Sequence, residues 1–220
     1  MPAVQGSPML TTQTQDRQEY VQVLEQLYQE RTLTPYAAGR SIPLRADQLL
    51  VVCRGALQLL TLQPDGSETL LGLAGPSTPI GLSLTTVDPY WAQALTDVDL
   101  LPLALAEVEA SPILMAGLFR HLVLRLQQSE AWLALAGKRL VADRLRHLLW
   151  LIATEFGQTE ERSTVRITIR LTHHQLATAI GTTRVTVTRL LKDFKAEGWL
   201  TTDQRYLVLQ LPERKLAQLV

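Results

Sequence analysis

Along this 220-residue chain the spacing of hydrophobic positions changes several times, and each change marks a new kind of element. Residues 1–15 are polar and aperiodic, which predicts a disordered tail. In DRQEYVQVLEQLYQER (16–31), Tyr20, Val23, Leu24, Leu27 and Tyr28 recur at helical spacing. From about Ser41 the pattern becomes strand-like. The runs DQLLVVCRG, ALQLLTLQ and SETLLGLAG are parted by Gly55 and by a Pro64–Asp65–Gly66–Ser67 turn. WAQAL (91–95) and VDLLPLA (98–104) continue the series. Many short strands at regular spacing predict a small antiparallel barrel or roll within residues 16–110.

A long helix is predicted over 111–137, with Ser111 as N-cap and Pro112 at its first position. Leu118, Leu122, Arg125, Ser129, Trp132 and Ala136 follow a 4-3-4-3-4 spacing, the seam of a two-stranded coiled coil. Met115, Phe119, Leu126 and Leu133 form a second stripe, assigned to the roll. Arg125 is a cation on an otherwise apolar seam. A buried charge needs a partner, so Glu130 or a bound anion should meet it, unless the side chain reaches out to water.

Residues 138–220 read as a winged helix-turn-helix. Thr172 followed by Gln175 is a capping-box pattern, Leu176, Ala179 and Ile180 keep helical spacing, and Gly181 supplies a left-handed stop. Thr182 or Thr183 caps a second helix carrying Arg184, Val185, Val187, Arg189, Leu190, Leu191 and Phe194. Such a helix enters the major groove, where Arg grips the O6 and N7 of guanine with two hydrogen bonds. WLTTDQRYLVLQ (199–210) reads as two strands around an Asp203–Gln204 turn, and VRITI (165–169) as a further strand. The predicted class is therefore α+β: an antiparallel β-roll, a long dimerisation helix and a C-terminal winged helix-turn-helix.

Charge sharpens the division. The chain has 21 basic and 21 acidic residues, which alone argues against a nucleic-acid partner. From Lys138 onward there are 14 Lys and Arg against 8 Asp and Glu, a net of +6, so residues 1–137 carry −6. A basic half joined to an acidic one fits a DNA-binding portion attached to something else. The single cysteine, Cys53, excludes an intrachain disulfide framework and an all-cysteine metal cluster. No apolar run is long enough to span a bilayer, and the N-terminus lacks a secretion signal, so the expected compartment is the cytoplasm.

In this order, a roll, a long helix and a winged helix-turn-helix resemble the CRP/FNR family of bacterial transcription regulators. The resemblance covers roughly residues 16–212, and IGTTRVTVTRLLKDF is its most specific part. That segment is similar to the family's cyanobacterial nitrogen-regulator branch, in which it reads GTA…TAC half-sites. The resemblance implies Arg184, Val185 and Arg189 as base-reading positions, and double-stranded DNA and RNA polymerase as partners of a homodimer. Thr172 and His173 join the candidate DNA contacts, and Thr183, Thr186 and Thr188 serve phosphates or packing.

Cyclic-nucleotide members carry a Gly-Glu pair and a later Arg. Here Leu82 follows Gly81, and no Arg lies between Arg54 and Arg120, which excludes cyclic AMP as the expected ligand. None of the four His lies in the roll, which argues against haem. The nitrogen-regulator branch binds 2-oxoglutarate, and RLQQSE (125–130) resembles its RILQTE segment. That implies Arg125 on a carboxylate, Glu130 reaching across the dimer, and Ile80, Gly81, Leu82 and Ser83 as backbone donors. The branch's second anion-binding Arg is missing, with Tyr90 or Trp91 near its place. Two rivals remain: a constitutive DNA-binding protein whose roll only supports dimerisation, and a cupin-like metalloenzyme. No catalytic or metal residues are assigned.

Overall fold

The computed structural model describes residue 27, residues 29–161 and residues 164–210. The expected tail over 1–15, and most of the expected helix over 16–31, lie outside these residues. Leu27 is described; it is helical and, like Leu33, packs against the cluster of Leu49, Val51, Leu101 and Leu103.

The N-terminal half contains β1 (Thr34–Tyr36), β2 (Ser41–Ile42), β3 (Gln48–Arg54), β4 (Leu57–Leu62), β5 (Glu68–Ala74), β6 (Pro79–Ile80), β7 (Trp91–Ala94) and β8 (Val98–Ala104). They form two antiparallel sheets, ordered β1-β8-β3-β6 and β2-β7-β4-β5, which make the expected roll. Leu50, Val52, Leu57, Leu59, Ile80 and Leu100 fill the space between them. The uninterrupted LLVV run of β3 is explained by burial on both faces. Leu50 and Val52 point into the roll, while Leu49 and Val51 lie beneath helices.

Gly55 turns the chain between β3 and β4 at φ +87, and a Cβ there would meet Asp97 O at 2.2 Å and Val98 Cγ1 at 2.7 Å. Gly55→Ala is expected to destabilise the protein by more than about 1 kcal/mol, read as a lower urea midpoint. An unchanged midpoint would mean that the turn can reshape at no cost.

A short helix the sequence reading did not anticipate, α1 (Leu105–Ala110), precedes α2 (Pro112–Ala136). As expected, Ser111 caps α2, its hydroxyl accepting from Leu114 N at 3.4 Å, with Pro112 in the first turn. The two stripes of α2 are partly exchanged relative to expectation. Leu118 is buried with Leu114 against Leu49, Val51, Leu101 and Leu103 of the roll, and Trp132 packs against the core of the C-terminal half. Met115, Phe119, Leu126 and Leu133, expected on the roll, face solvent, the last three at 63%, 60% and 75% exposure. Of the expected seam, Ser129 and Ala136 are exposed with them and Leu122 is half-buried. Leu118, Arg125 and Trp132 turn inward.

The C-terminal half contains α3 (Val141–Phe156), β9 (Gly157–Glu161), β10 (Thr164–Ile167), α4 (His173–Ile180), α5 (Arg184–Ala196), β11 (Leu200–Asp203) and β12 (Tyr206–Gln210). Its sheet runs β11-β12-β10-β9. The expected strand at 165–169 is thus β10, which ends two residues earlier, and β9 was not foreseen. The wing turn lies one residue beyond the expected Asp203–Gln204 pair, at Gln204 and Arg205. Both have positive φ, 45 and 75, the pattern of a type I′ hairpin.

Leu145, Leu149, Leu176, Val187, Leu191 and Phe194 form the core of this half, and Leu70 and Leu73 of β5 belong to the same cluster. The winged half therefore rests on the roll. A polar contact adds to this: Gln175 Nε2 donates to Oε1 of the buried Gln58 at 3.2 Å. Among the described residues, no helix is long and apolar enough to cross a membrane.

Candidate nucleic-acid interface and effector cleft

The helix-turn-helix is built by local chemistry. Thr172 Oγ1 accepts from Gln175 N at 3.1 Å while Thr172 N donates to Gln175 Oε1 at 2.8 Å, closing the capping box. Gly181 adopts the left-handed conformation (φ 61, ψ 54) that ends α4. Of the two candidate caps for α5, Thr183 is the one used, its hydroxyl accepting from Thr186 N at 3.2 Å.

These side chains bond one another within the motif. Thr183 and Thr186 also share a contact of 3.0 Å, and Thr188 Oγ1 donates to the Arg184 carbonyl at 2.9 Å. With its proton committed there, Thr188 accepts from Nδ1 of His173 at 2.8 Å, which assigns the imidazole proton to Nδ1. Burial, then the charges of Arg184 and Lys195, hold His173 below its ordinary value, so it is neutral at pH 7. Thr172, His173, Thr183, Thr186 and Thr188 thus shape the motif. Arg184, Val185 and Arg189 stand exposed on α5, and Val185, at 78% exposure, is an apolar residue with no neighbour to cover it.

Several basic residues were not singled out in the sequence. A groove of about 470 Å³ between α5 and the wing is lined by Lys192, Lys195 and Arg205, together with His173 and Thr188. The charge asymmetry signalled a basic surface without saying which cations form it. Others are structural: the Arg146 guanidinium lies 4.2 Å from the Phe194 ring centroid and pairs with Glu197, and Arg166 bonds Asp203 at 2.6 Å.

Beside the roll, a second cleft of about 400 Å³ is lined by Ile80, Leu84, Thr85, Tyr90, Arg125 and Ser129, among others. Nη1 of Arg125 is buried and has no hydrogen-bond partner. Glu130, expected to reach across a dimer, is exposed. Of the four expected backbone donors only Ile80 lines this cleft. Gly81 is packed against Leu49, where a Cβ would lie 2.8 Å from Cδ2, and in the short 3₁₀ helix Leu82–Leu84 only Leu84 lines the cleft. Tyr90, noted in the sequence only as standing near a missing Arg, faces Arg125. Burial raises its phenol above the usual range, and the charge and hydrogen bond of Arg125 oppose that. Among the described residues, no group of three or more His, Cys, Asp or Glu converges on a metal-binding arrangement.

Residues 143–219 match the Crp-like helix-turn-helix domain. Over 175 residues the chain is 31% identical to the regulatory protein CysR of Synechococcus elongatus, spanning 78% of this chain and 81% of that protein. Over 176 residues it is 30% identical to the global nitrogen regulator of a Synechocystis species, spanning 76% of this chain and 78% of that one. A crystal structure of a transcriptional regulator of the CRP/FNR family from Thermus thermophilus superposes with a TM-score of 0.66 at 26% identity. The match covers 86% of this chain and 97% of that one.

Proposed function

Because the chain belongs to the CRP/FNR family of DNA-binding transcription regulators, we propose that it acts as a homodimer whose DNA affinity is set by a small anion. The observation that carries this reading is helix α2, which has one exposed apolar face and holds an unpartnered Arg125 nitrogen on another. Met115, Phe119, Leu122, Leu126, Ser129, Leu133 and Ala136 follow a 4-3 repeat, which suits a second copy of the same helix. Pairing two chains along α2 sets two α5 helices to enter successive major grooves about 34 Å apart on a palindromic site. Arg184, Val185 and Arg189 read bases there, while Lys192, Lys195 and Arg205 meet the phosphates.

The leading effector is 2-oxoglutarate. One carboxylate takes the free nitrogen of Arg125, and the Tyr90 hydroxyl serves as a second donor where the related branch has an Arg. Leu122, Leu126 and Ser129 belong both to this cleft and to the apolar face, so a bound anion touches the dimer seam directly. Its effect is limited by its difference in affinity for the two arrangements of the dimer.

The test is selection of bound sequences from a random duplex pool at fixed salt, with and without 2-oxoglutarate. A palindrome with GTA-like half-sites, enriched more strongly with the ligand, is the expected outcome. Arg125→Gln should keep the palindrome and lose the ligand response. Enrichment that ignores the ligand would replace this reading with a constitutive regulator, and no enrichment would remove sequence-specific binding.

A further inference from the structure

Arg125 lines two clefts, the one beside Tyr90 and a second that holds Gln128 and Glu155. The second, about 450 Å³, opens where three parts of the molecule meet. The β5–β6 segment contributes Leu73 and Thr78, α2 contributes Leu124 and Trp132, and α3 contributes Leu151 and Glu155. Its volume falls within the roughly 300–1,000 Å³ of small-molecule sites, and apolar walls with a few converging polar groups are their usual character.

The polar groups at this junction are tied together. Gln128 Oε1 accepts from Leu73 N at 3.3 Å, and its Nε2 donates to Glu155, so a single amide joins the roll, α2 and α3. Two glycines make room for this junction. A Cβ on Gly72 would lie 2.7 Å from Gln128 Oε1, and one on Gly75 would lie 3.0 Å from the Phe156 ring. Arg125 adds the buried, unpartnered Nη1.

We propose that this junction cleft is a second ligand site, which takes a small amphipathic monocarboxylate with its charge on Arg125 and its chain against Leu124, Trp132 and Leu151. The shared Arg125 makes occupancy of the two clefts interdependent. Because the walls belong to the roll, α2 and α3, an occupant acts on the seating of the DNA-binding half. The site stands whether or not 2-oxoglutarate is the effector of the first cleft.

The chemistry predicts a proton signature. Desolvation raises the Glu155 carboxyl to about 7, opposed by the Gln128 hydrogen bond and the Arg125 charge. The polar side chains that line the cleft with it are His121, Arg125, Gln127 and Gln128 from α2, Thr154 from α3 and, from the roll, the uncharged Thr78. A carboxylate paired with Arg125 cancels the field that favours ionised Glu155, so binding takes up a proton. Binding is then strongest below pH 7 and weakens above it.

The test is calorimetric titration of the full chain with octanoate, in the absence of DNA and 2-oxoglutarate. Octanoate is expected to bind at least about tenfold more tightly than 1-octanol, since the alcohol offers no charge to Arg125. Its affinity should fall about tenfold between pH 6 and pH 8, and Glu155→Gln should remove that dependence while preserving binding. Ala131→Leu and, from the opposite wall, Thr154→Leu should each block the cleft and abolish binding. Equal affinity for octanol and octanoate, or octanoate binding that survives both filling variants, overturns the proposal. If pH dependence persists in Glu155→Gln, the assigned proton site is wrong and the proposal falls with it.

Discussion

Leu126→Asp combined with Leu133→Asp is expected to yield a folded monomer and to weaken palindromic DNA binding by about two to four orders of magnitude. Both residues are largely exposed in the protomer, at 60% and 75%, so neither substitution removes a contact from its core. In a paired helix they lie along the seam, where a carboxylate would be desolvated opposite apolar neighbours or another carboxylate. Sedimentation should report half the wild-type mass while the circular dichroism spectrum and urea midpoint hold. The residual DNA affinity should be that of one winged half on one half-site. Leu118→Ala makes the contrast: that side chain is 2% exposed beneath the roll. It should cost about 2–5 kcal/mol of stability without a selective loss of dimer. A dimer that persists in the double Asp variant would mean that the chains associate through another surface.

Arg184→Ala is expected to abolish discrimination at one base pair of each half-site, a loss of about 1–3 kcal/mol. Arg184 stands exposed in the first turn of α5, where recognition helices present their base-reading residues. Its backbone carbonyl is anchored by Thr188, so the alanine variant should leave the helix in place. Lys192→Ala should behave differently. It should weaken all sequences about equally and reduce the salt dependence of binding by about one unit of slope, the mark of a phosphate contact. Gel-shift series over single-base operator variants separate the two. If Arg184→Ala ranks the variants as the wild type does, Arg184 is not a base-reading residue.

The helix-turn-helix was legible in the chain nearly residue by residue. The Thr172 capping box, the Gly181 stop and the Thr183 cap each depend on groups within three or four positions, so no distant part of the molecule can change their meaning. The roll strands were legible for a related reason: continuous apolar runs such as LLVV between turn residues admit few alternatives. The β9 strand was missed because GQTEE carries no apolar alternation, and it is held by pairing with β10 rather than by its own side chains. The wing turn was displaced by one residue because Gln204 and Arg205 are unusual occupants of positive φ, tolerated where the antiparallel register of β11 and β12 demands a two-residue link.

The sequence by itself determined that a long helix follows a β-roll, that a second apolar stripe runs along it, and that a cation interrupts one of those stripes. It could not determine which stripe faces inward. Leu118, Arg125 and Trp132 differ from Phe119, Leu126 and Leu133 by one position, about 100° around the helix. Both sets are mainly apolar, so periodicity cannot rank them. Docking decided the matter. Leu114 and Leu118 seat on the outer face of the β3 sheet, Gln128 fits the space left by Gly72, and Trp132 meets the winged half. Together they fix the rotation of the helix. That rotation turns Leu126 and Leu133 to solvent and carries Arg125 between two clefts. Burial of the inner stripe, a non-local property of packed elements, thus chose which apolar face stays exposed and which clefts Arg125 lines.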